Sequence, residues 1–172
     1  MNIETLMYQA CQVFLIPTLL AIAALFVYAF YALGAFSVQW WQRRGTPQPD
    51  AASRGYPLLA WAQGRHDLRA DDLDLQAHKL VELPRIATRV APMLGLVATM
   101  IPMGPALKGL SDGNLASVSD NLTVAFSAVI LALIAAALTY WIVAVQRRWL
   151  AEELAWLSAR SAQHTLAPGA AQ

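Results

Sequence analysis

Charge is what this 172-residue chain has least of: only 13% of it is Asp, Glu, Lys or Arg, about half the usual share of a soluble domain. The shortage is concentrated. Residues 13–38, 90–107 and 122–145 contain no Asp, Glu, Lys, Arg or His at all, and a helix needs roughly 20 mainly apolar residues to cross the hydrocarbon core of a bilayer. These absences exclude an ordinary soluble domain and predict three transmembrane helices. For the middle run, the shortest at 18 residues, a buried soluble helix is the alternative. If it spans, Arg89 and Lys108 extend their aliphatic stems so that the charges reach the interfaces.

Other absences exclude whole classes of chemistry. Cys11 is the only cysteine, so neither an intrachain disulfide nor a cysteine-based zinc cluster can form. His66, His78 and His164 lie scattered over loop, helix and tail without ligand spacing. No GxxxxGK[ST], nucleophile elbow or HExxH occurs, so neither an enzyme nor a cofactor or metal is expected, and no nucleic-acid partner. Asp71 to Asp74 could attract a divalent ion but read better as the acids of a helix start. Within the spans there is no carboxylate, histidine or arginine of the kind that moving protons or ions use. Alone, the chain is not expected to do proton-coupled work; either its role is structural or it surrounds a partner that brings the missing group.

Basic residues are also absent from positions 1–12, while Arg43, Arg44, Lys79, Arg85, Arg89, Arg147 and Arg148 flank the spans on the other side. By the retention of Lys and Arg in the cytoplasm, the expected order is an outer segment 1–12, a first span 13–38, a cytoplasmic helical segment 39–89, a second span 90–107, an outer loop 108–121, a third span 122–145 and a cytoplasmic tail 146–172. The fold class is thus an all-α integral membrane protein of the lipid bilayer, N-terminus out and C-terminus in, its spans extended by cytoplasmic helices. The first span lacks a basic leader and precedes two arginines, which predicts an uncleaved anchor. Trp40, Trp41, Trp141 and Trp149 mark one interface and Tyr8 the other.

After "WWQRR", the stretch "GTPQPDAASRGYP" ends the first helix, and "LLAWAQG" reads as a short helix stopped by Gly64. "RADDLDLQAHKLVELPRI" reads as an amphipathic helix whose Leu80, Leu83 and Ala87 share a side, covered either by a partner or by the other helices of the same chain, with Pro84 kinking or restarting it. "QRRWLAEELAWLSARSAQH" continues the third span, and "APGAAQ" should be disordered.

Two stripes of small residues run through the second and third spans. Ala91, Gly95, Ala98 with Thr99, Pro102 and Ala106 recur at three- and four-residue spacing, as do Ala125, Ala128, Ala132, Ala135 with Ala136, and Thr139. That spacing places each series on one helix face, where small side chains permit the close approach by which helices associate in lipid. The faces either pack on each other in a hairpin or ring a pore or partner helix. Pro102 and Pro105 deprive the carbonyls of Ala98 and Ile101 of their usual donors. Bare carbonyls are costly in hydrocarbon, so this half of the span is expected to face protein or water.

"APMLGLVATMIPMGPAL" resembles the GPMLGLMGT pattern of the MotA/TolQ/ExbB proton-channel family, and "AFSAVILA" from Ala125 is similar to its A-[FL]-x-x-T-x-x-G last span; the resemblance covers residues 74–150. Three spans with the N-terminus outside look like the ExbB and TolQ branch. The resemblance implies a homopentamer in a bacterial or archaeal plasma (inner) membrane, enclosing helices of ExbD- or TolR-like single-span partners that carry a membrane aspartate, and coupling proton-motive force to mechanical work. It assigns Thr99 to the second-span hydroxyl position that faces this aspartate. Val129 stands at the family's threonine and Ala132 at its glycine, the nearest hydroxyls being Ser127 and Thr123. The expected pore-lining or helix-packing set is therefore Gly95, Ala98, Thr99, Pro102, Ala125, Ser127, Ala128, Val129 and Ala132. A non-conducting scaffold of the same fold is the alternative.

Overall fold

The computed structural model describes residues 3–45, 55–62 and 70–166, all helix apart from short turns. Its helices are α1 (Ile3–Gly45), α2 (Pro57–Ala62), α3 (Ala70–Leu80), α4 (Glu82–Ser111) and α5 (Leu115–Leu166). Stretches Leu6–Arg44, Glu82–Ser111 and Leu115–Arg160 are long and apolar enough to cross a membrane. At 1.5 Å per residue, α5 with its 52 residues is about 78 Å long, more than twice a hydrocarbon core of about 30 Å. Only its charge-free part fits in lipid; the remainder extends beyond.

By internal packing the chain forms two units. The first joins Met1–Ala32 to Arg85–Tyr140. Its interior is built from alanines, which allow the helices to come close. Ile22, Ala98, Ala128 and Ala132 form one buried cluster with Leu19, Leu94 and Leu131 against it. Ala29, Ala91, Ala135 and Ala136 form another, flanked by Leu25, Phe26 and Leu138. Large apolar residues instead point outwards, among them Phe14, Leu20, Val27, Met93, Leu96, Phe126 and Ile130. Small inside and large outside inverts a soluble core and suits a lipid surround, where apolar side chains lose nothing by exposure.

The α4–α5 connection is far tighter than a loop over 108–121. Asn114 N–H donates to the Gly109 carbonyl at 2.8 Å and Gly113 N–H to Leu110 at 3.2 Å, the bond pair of a Schellman ending. Gly113 has the required positive φ of 72°. Asn114 then caps α5, its Oδ1 accepting from Ser117 N–H at 3.1 Å. Three residues turn the chain.

The second unit joins Leu33–Pro84 to Trp141–Gln172. Here the amphipathic α3 lies on its own chain: Leu73, Ala77 and Val81 pack with Leu58 of α2 and with Leu150, Leu154 and Leu157 of α5. Of the expected side Ala87 is buried, whereas Leu80 and Leu83 are 45% and 69% exposed. The helix also breaks at Val81. The Pro84 ring crowds the carbonyl four residues earlier, that of Leu80, where α3 ends; α4 restarts at Glu82 with Pro84 in its first turn. α2 matches the expected short helix, whereas Gly64 and 167–172 lie outside the described residues.

Gly55 precedes α2 with φ 104°, and a Cβ there would meet the Gln42 Cβ at 3.3 Å. Its carbonyl accepts from Arg43 Nε at 2.9 Å and Gln39 Nε2 at 3.3 Å. Gly55→Ala is expected to lose about 1–3 kcal/mol of stability through backbone strain, read as a lower melting temperature in detergent, with Gly34→Ala, which meets nothing within 4 Å, as the unaffected control.

Candidate functional site: the α4–α5 faces

Within the first unit, α4 and α5 run antiparallel in a fixed register. Thr88 Oγ1 donates to Thr139 Oγ1 at 3.2 Å, and a Cβ placed on Gly95 would stand 3.0 Å from the Ala132 Cβ. Seven residues forward on α4 thus match seven back on α5. Continuing the register by one turn sets Ala98 and Thr99 level with Ala128, and Ala98 and Ala128 indeed share a cluster.

The small stripes supply this contact. Gly95, Ala98 and Pro102 on α4, and Ala125, Ala128 and Ala132 on α5, are all buried within the chain. Gly95 is the point of closest approach, with the Val129 Cγ2 3.3 Å from its Cβ position. Pro102 is among the fully buried side chains, and so is Ala98, whose carbonyl it frees; Pro105 and Ile101 are only half-buried and Met103 is exposed. Tyr8 of α1 comes within 3.6 Å of the Cβ position of Gly104 on the same segment.

Thr99 and Val129 occupy a different place. Each follows by one residue an alanine of the Ile22 cluster, and one residue is a turn of about 100° around a helix. Both are half-buried. The Thr99 hydroxyl donates to the Leu96 carbonyl at 2.7 Å. It retains its oxygen lone pairs as acceptors, beside the exposed Leu96 and Met103. Ser127, two residues before Val129, is about 200° around α5 from it and exposed, donating to the Thr123 carbonyl at 2.8 Å. It therefore does not share the Val129 face. Another chain would have to supply any group that pairs with it.

The hydroxyl pair that does form, Thr88 with Thr139, was not legible as a pair. Thr139 is fully buried and also donates towards the carbonyls of Ala135 and Ala136 at 2.8 and 3.1 Å. It pins two helices together at positions three residues beyond the end alanines of the stripes, Ala91 and Ala136.

In the second unit an ionic knot joins residues 110 positions apart in the sequence. Arg43 Nη2 donates to Glu153 Oε1, and the side chains are 9% and 1% exposed. Glu153 Oε2 also accepts from Leu58 N–H at 3.0 Å and Leu59 N–H at 3.4 Å. The guanidinium lies between the rings of Tyr56 and Trp149, 4.3 and 4.5 Å from their centroids, and Phe36 stacks on Trp149 at 5.1 Å. By sequence alone Arg43 is an interface charge and Trp149 a belt aromatic. The available signal was Glu153 one turn beyond Trp149, on the side that also carries Leu150.

Among the described residues no group of three His, Cys, Asp or Glu side chains could hold a metal. What the α4–α5 faces offer is a close-packed small-residue seam with the half-buried Thr99 beside it and no charge. The family described as the MotA/TolQ/ExbB proton channel family matches residues 69–158, the segment that carries these faces. Neither the curated proteins nor the solved structures gave a match.

Proposed function

Since the chain belongs to the MotA/TolQ/ExbB proton channel family and is a multi-pass membrane protein with a channel-type role, we propose that it is the ring-forming subunit of an ExbB/TolQ-like energy-transducing complex. Copies of it, five by family analogy, enclose single-span partner helices resembling those of ExbD or TolR. A partner aspartate takes and releases the proton, and the ring converts its passage into a mechanical stroke. The N-terminus lies outside a bacterial or archaeal inner membrane and the ends of α1 and α5 extend into the cytoplasm. The chain itself catalyses no reaction.

The observation that carries this reading is the half-buried Thr99 beside a seam without Asp, Glu, Lys, Arg or His. A hydroxyl there can accept from a protonated carboxyl, and nothing beside it in the sequence competes for the proton. Co-expression with a single-span partner that carries a membrane aspartate should give a complex whose proton leak in liposomes falls at least about tenfold on Asp→Asn in the partner, the loss of an obligatory proton carrier. An unchanged leak, or failure to form a complex, would sink the proposal.

Val129 supports a second reading, a non-conducting scaffold of the same fold. An isopropyl group lies on the flank where the family has a threonine, and it can neither donate nor accept. If Thr99→Val leaves cellular function intact while Gly95→Leu abolishes it, assembly is the whole function.

A further inference from the structure

Thr99 shares its side of α4 with two cations. At about 100° per residue, Pro92, Arg85, Leu96 and Arg89 all fall within about 80° of Thr99 in one direction around the helix, and Gly95, Ala98 and Pro102 of the seam fall in the other. Exposure follows the same division. Arg85, Leu96 and Arg89 are exposed, whereas Gly95, Ala98 and Pro102 are buried.

Among the described residues neither arginine has a counter-charge, the ion pairs being Arg43 with Glu153, His78 with Asp74 and Arg148 with Glu152. Glu82, the one acid of α4, is bonded to neither. One turn apart on the helix, the two guanidiniums repel each other. At 1.5 Å per residue Arg89 and Arg85 stand about 15 and 21 Å along the axis from Thr99, just beyond the charge-free run 90–107.

A ring that turns Thr99 inwards turns these arginines inwards too. Each copy of α4 then brings two cations and a single acid to one mouth. Such a collar opposes its own assembly and repels a proton that leaves along it. Carboxylates on the enclosed chain, at the height of the arginines, remove both penalties, and the planar guanidinium is the cation best shaped to hold them.

We propose that Arg85 and Arg89 are a second docking point for the single-span partner, taking an acidic segment where that chain leaves the membrane. The inference rests on the ring reading above and adds to it a chemistry and a spacing. With its membrane aspartate level with Thr99, a helical partner lying along α4 brings carboxylates to Arg89 and Arg85 from about 10 and 14 residues away, on the side of the bilayer where α4 begins. The aspartate carries the proton, and the acidic segment holds the register that keeps the aspartate beside Thr99.

The test starts from the tagged full-length chain, purified in mild detergent from the membranes of its own host, and from the sequence of the single-span chain that accompanies it. Two or more Asp or Glu residues should lie about 10–14 residues from that chain's membrane aspartate. Arg85→Glu combined with Arg89→Glu should lower recovery of the partner at least about tenfold, the effect of losing one charge-assisted hydrogen bond, and lysines in place of the two partner acids should restore it. Lys108→Glu, about 180° around α4 from Thr99, should leave recovery unchanged. A partner with the membrane aspartate but no acids at that spacing, or recovery indifferent to the double reversal, overturns this inference and leaves the ring reading standing. So does loss of co-purified phosphatidylglycerol from the double variant without loss of the partner, which would make the arginines a lipid anchor. An equal effect of Lys108→Glu overturns it too, because net charge would then be the cause. Absence of any accompanying single-span chain with a membrane aspartate removes the ring reading itself, and this inference with it.

Discussion

Replacing Glu153 with alanine should lower the stability of the protein by about 3–5 kcal/mol, the usual result of removing one partner of a buried ion pair. That is a large part of the 5–15 kcal/mol that folded domains typically possess. The loss arises from what stays behind. Arg43 remains 9% exposed with no counter-charge, and the Leu58 and Leu59 amides lose their common acceptor. The pair need not be strongly stabilising in itself, because burial of both ions has already cost much of their hydration. Arg43→Met combined with Glu153→Leu should therefore recover most of what Glu153→Ala loses. Melting curves of the three variants in one detergent decide the matter: a double variant as unstable as the single one would show that packing, not an unpaired charge, governs this unit.

The same carboxyl gives a dependence on pH. Burial raises Glu153 above the ordinary carboxylate value, only partly offset by the Arg43 charge and by the Leu58 and Leu59 amides. A carboxyl whose folded value exceeds its unfolded one holds its proton more tightly in the fold. Its contribution to stability is complete below the unfolded value and is lost as pH rises through the folded value. Melting midpoints should thus decline across that window, and Glu153→Gln should remove this part of the slope.

Gly95→Leu should abolish the α4–α5 seam. Even a methyl group at residue 95 would stand 3.0 Å from Ala132 and 3.3 Å from Val129, on helices whose register is held on either side by the Thr88–Thr139 bond and the Ala98–Ala128 cluster. Overpacking of this kind costs about 1–3 kcal/mol for a few methylenes. Leucine demands more, and the helices can make room only by separating along the whole stripe. Gly95→Ala should be milder, with Ala132→Gly as its suppressor because it removes the atom at 3.0 Å. Disulfide trapping across the seam, with cysteines at Thr88 and Thr139 in a Cys11→Ser background, should be efficient in the parent and lost in Gly95→Leu. Trapping unaffected by the leucine would show that the seam is not close-packed.

The spans and the two small stripes were legible because each depends on one local property, absence of charge or helical spacing of small side chains. Their partners were not. Both a hairpin and a pore wall need small residues at the same intervals, and only the burial of Ala98, Ala128 and Ala132 against Ile22 shows what these particular alanines touch. Thr99 and Val129 flank the stripe and remain half-buried, a difference of one residue in each helix. On the α3 side only Ala87 follows the periodic count, because Pro84 forces a restart near Val81 and Leu80 and Leu83 no longer lie on one continuous helix. Arg43 and Glu153 are 110 residues apart, and nothing local marks either as more than an interfacial charge.

The three-residue turn at 112–114 also fixes an order of assembly. Once α4 and α5 have formed, closing so short a connection requires little chain entropy, and the contacts that follow include pairs such as Thr88 and Thr139, 51 positions apart. α1 must instead find its seat across the whole segment that precedes α4. The hairpin is therefore expected to form first and to present its alanine groove to α1 already shaped. Substitution at Gly113 should consequently slow the recovery of native structure after dilution from denaturing detergent more than it changes the final melting temperature, and changes at Ile22 should leave the hairpin step untouched.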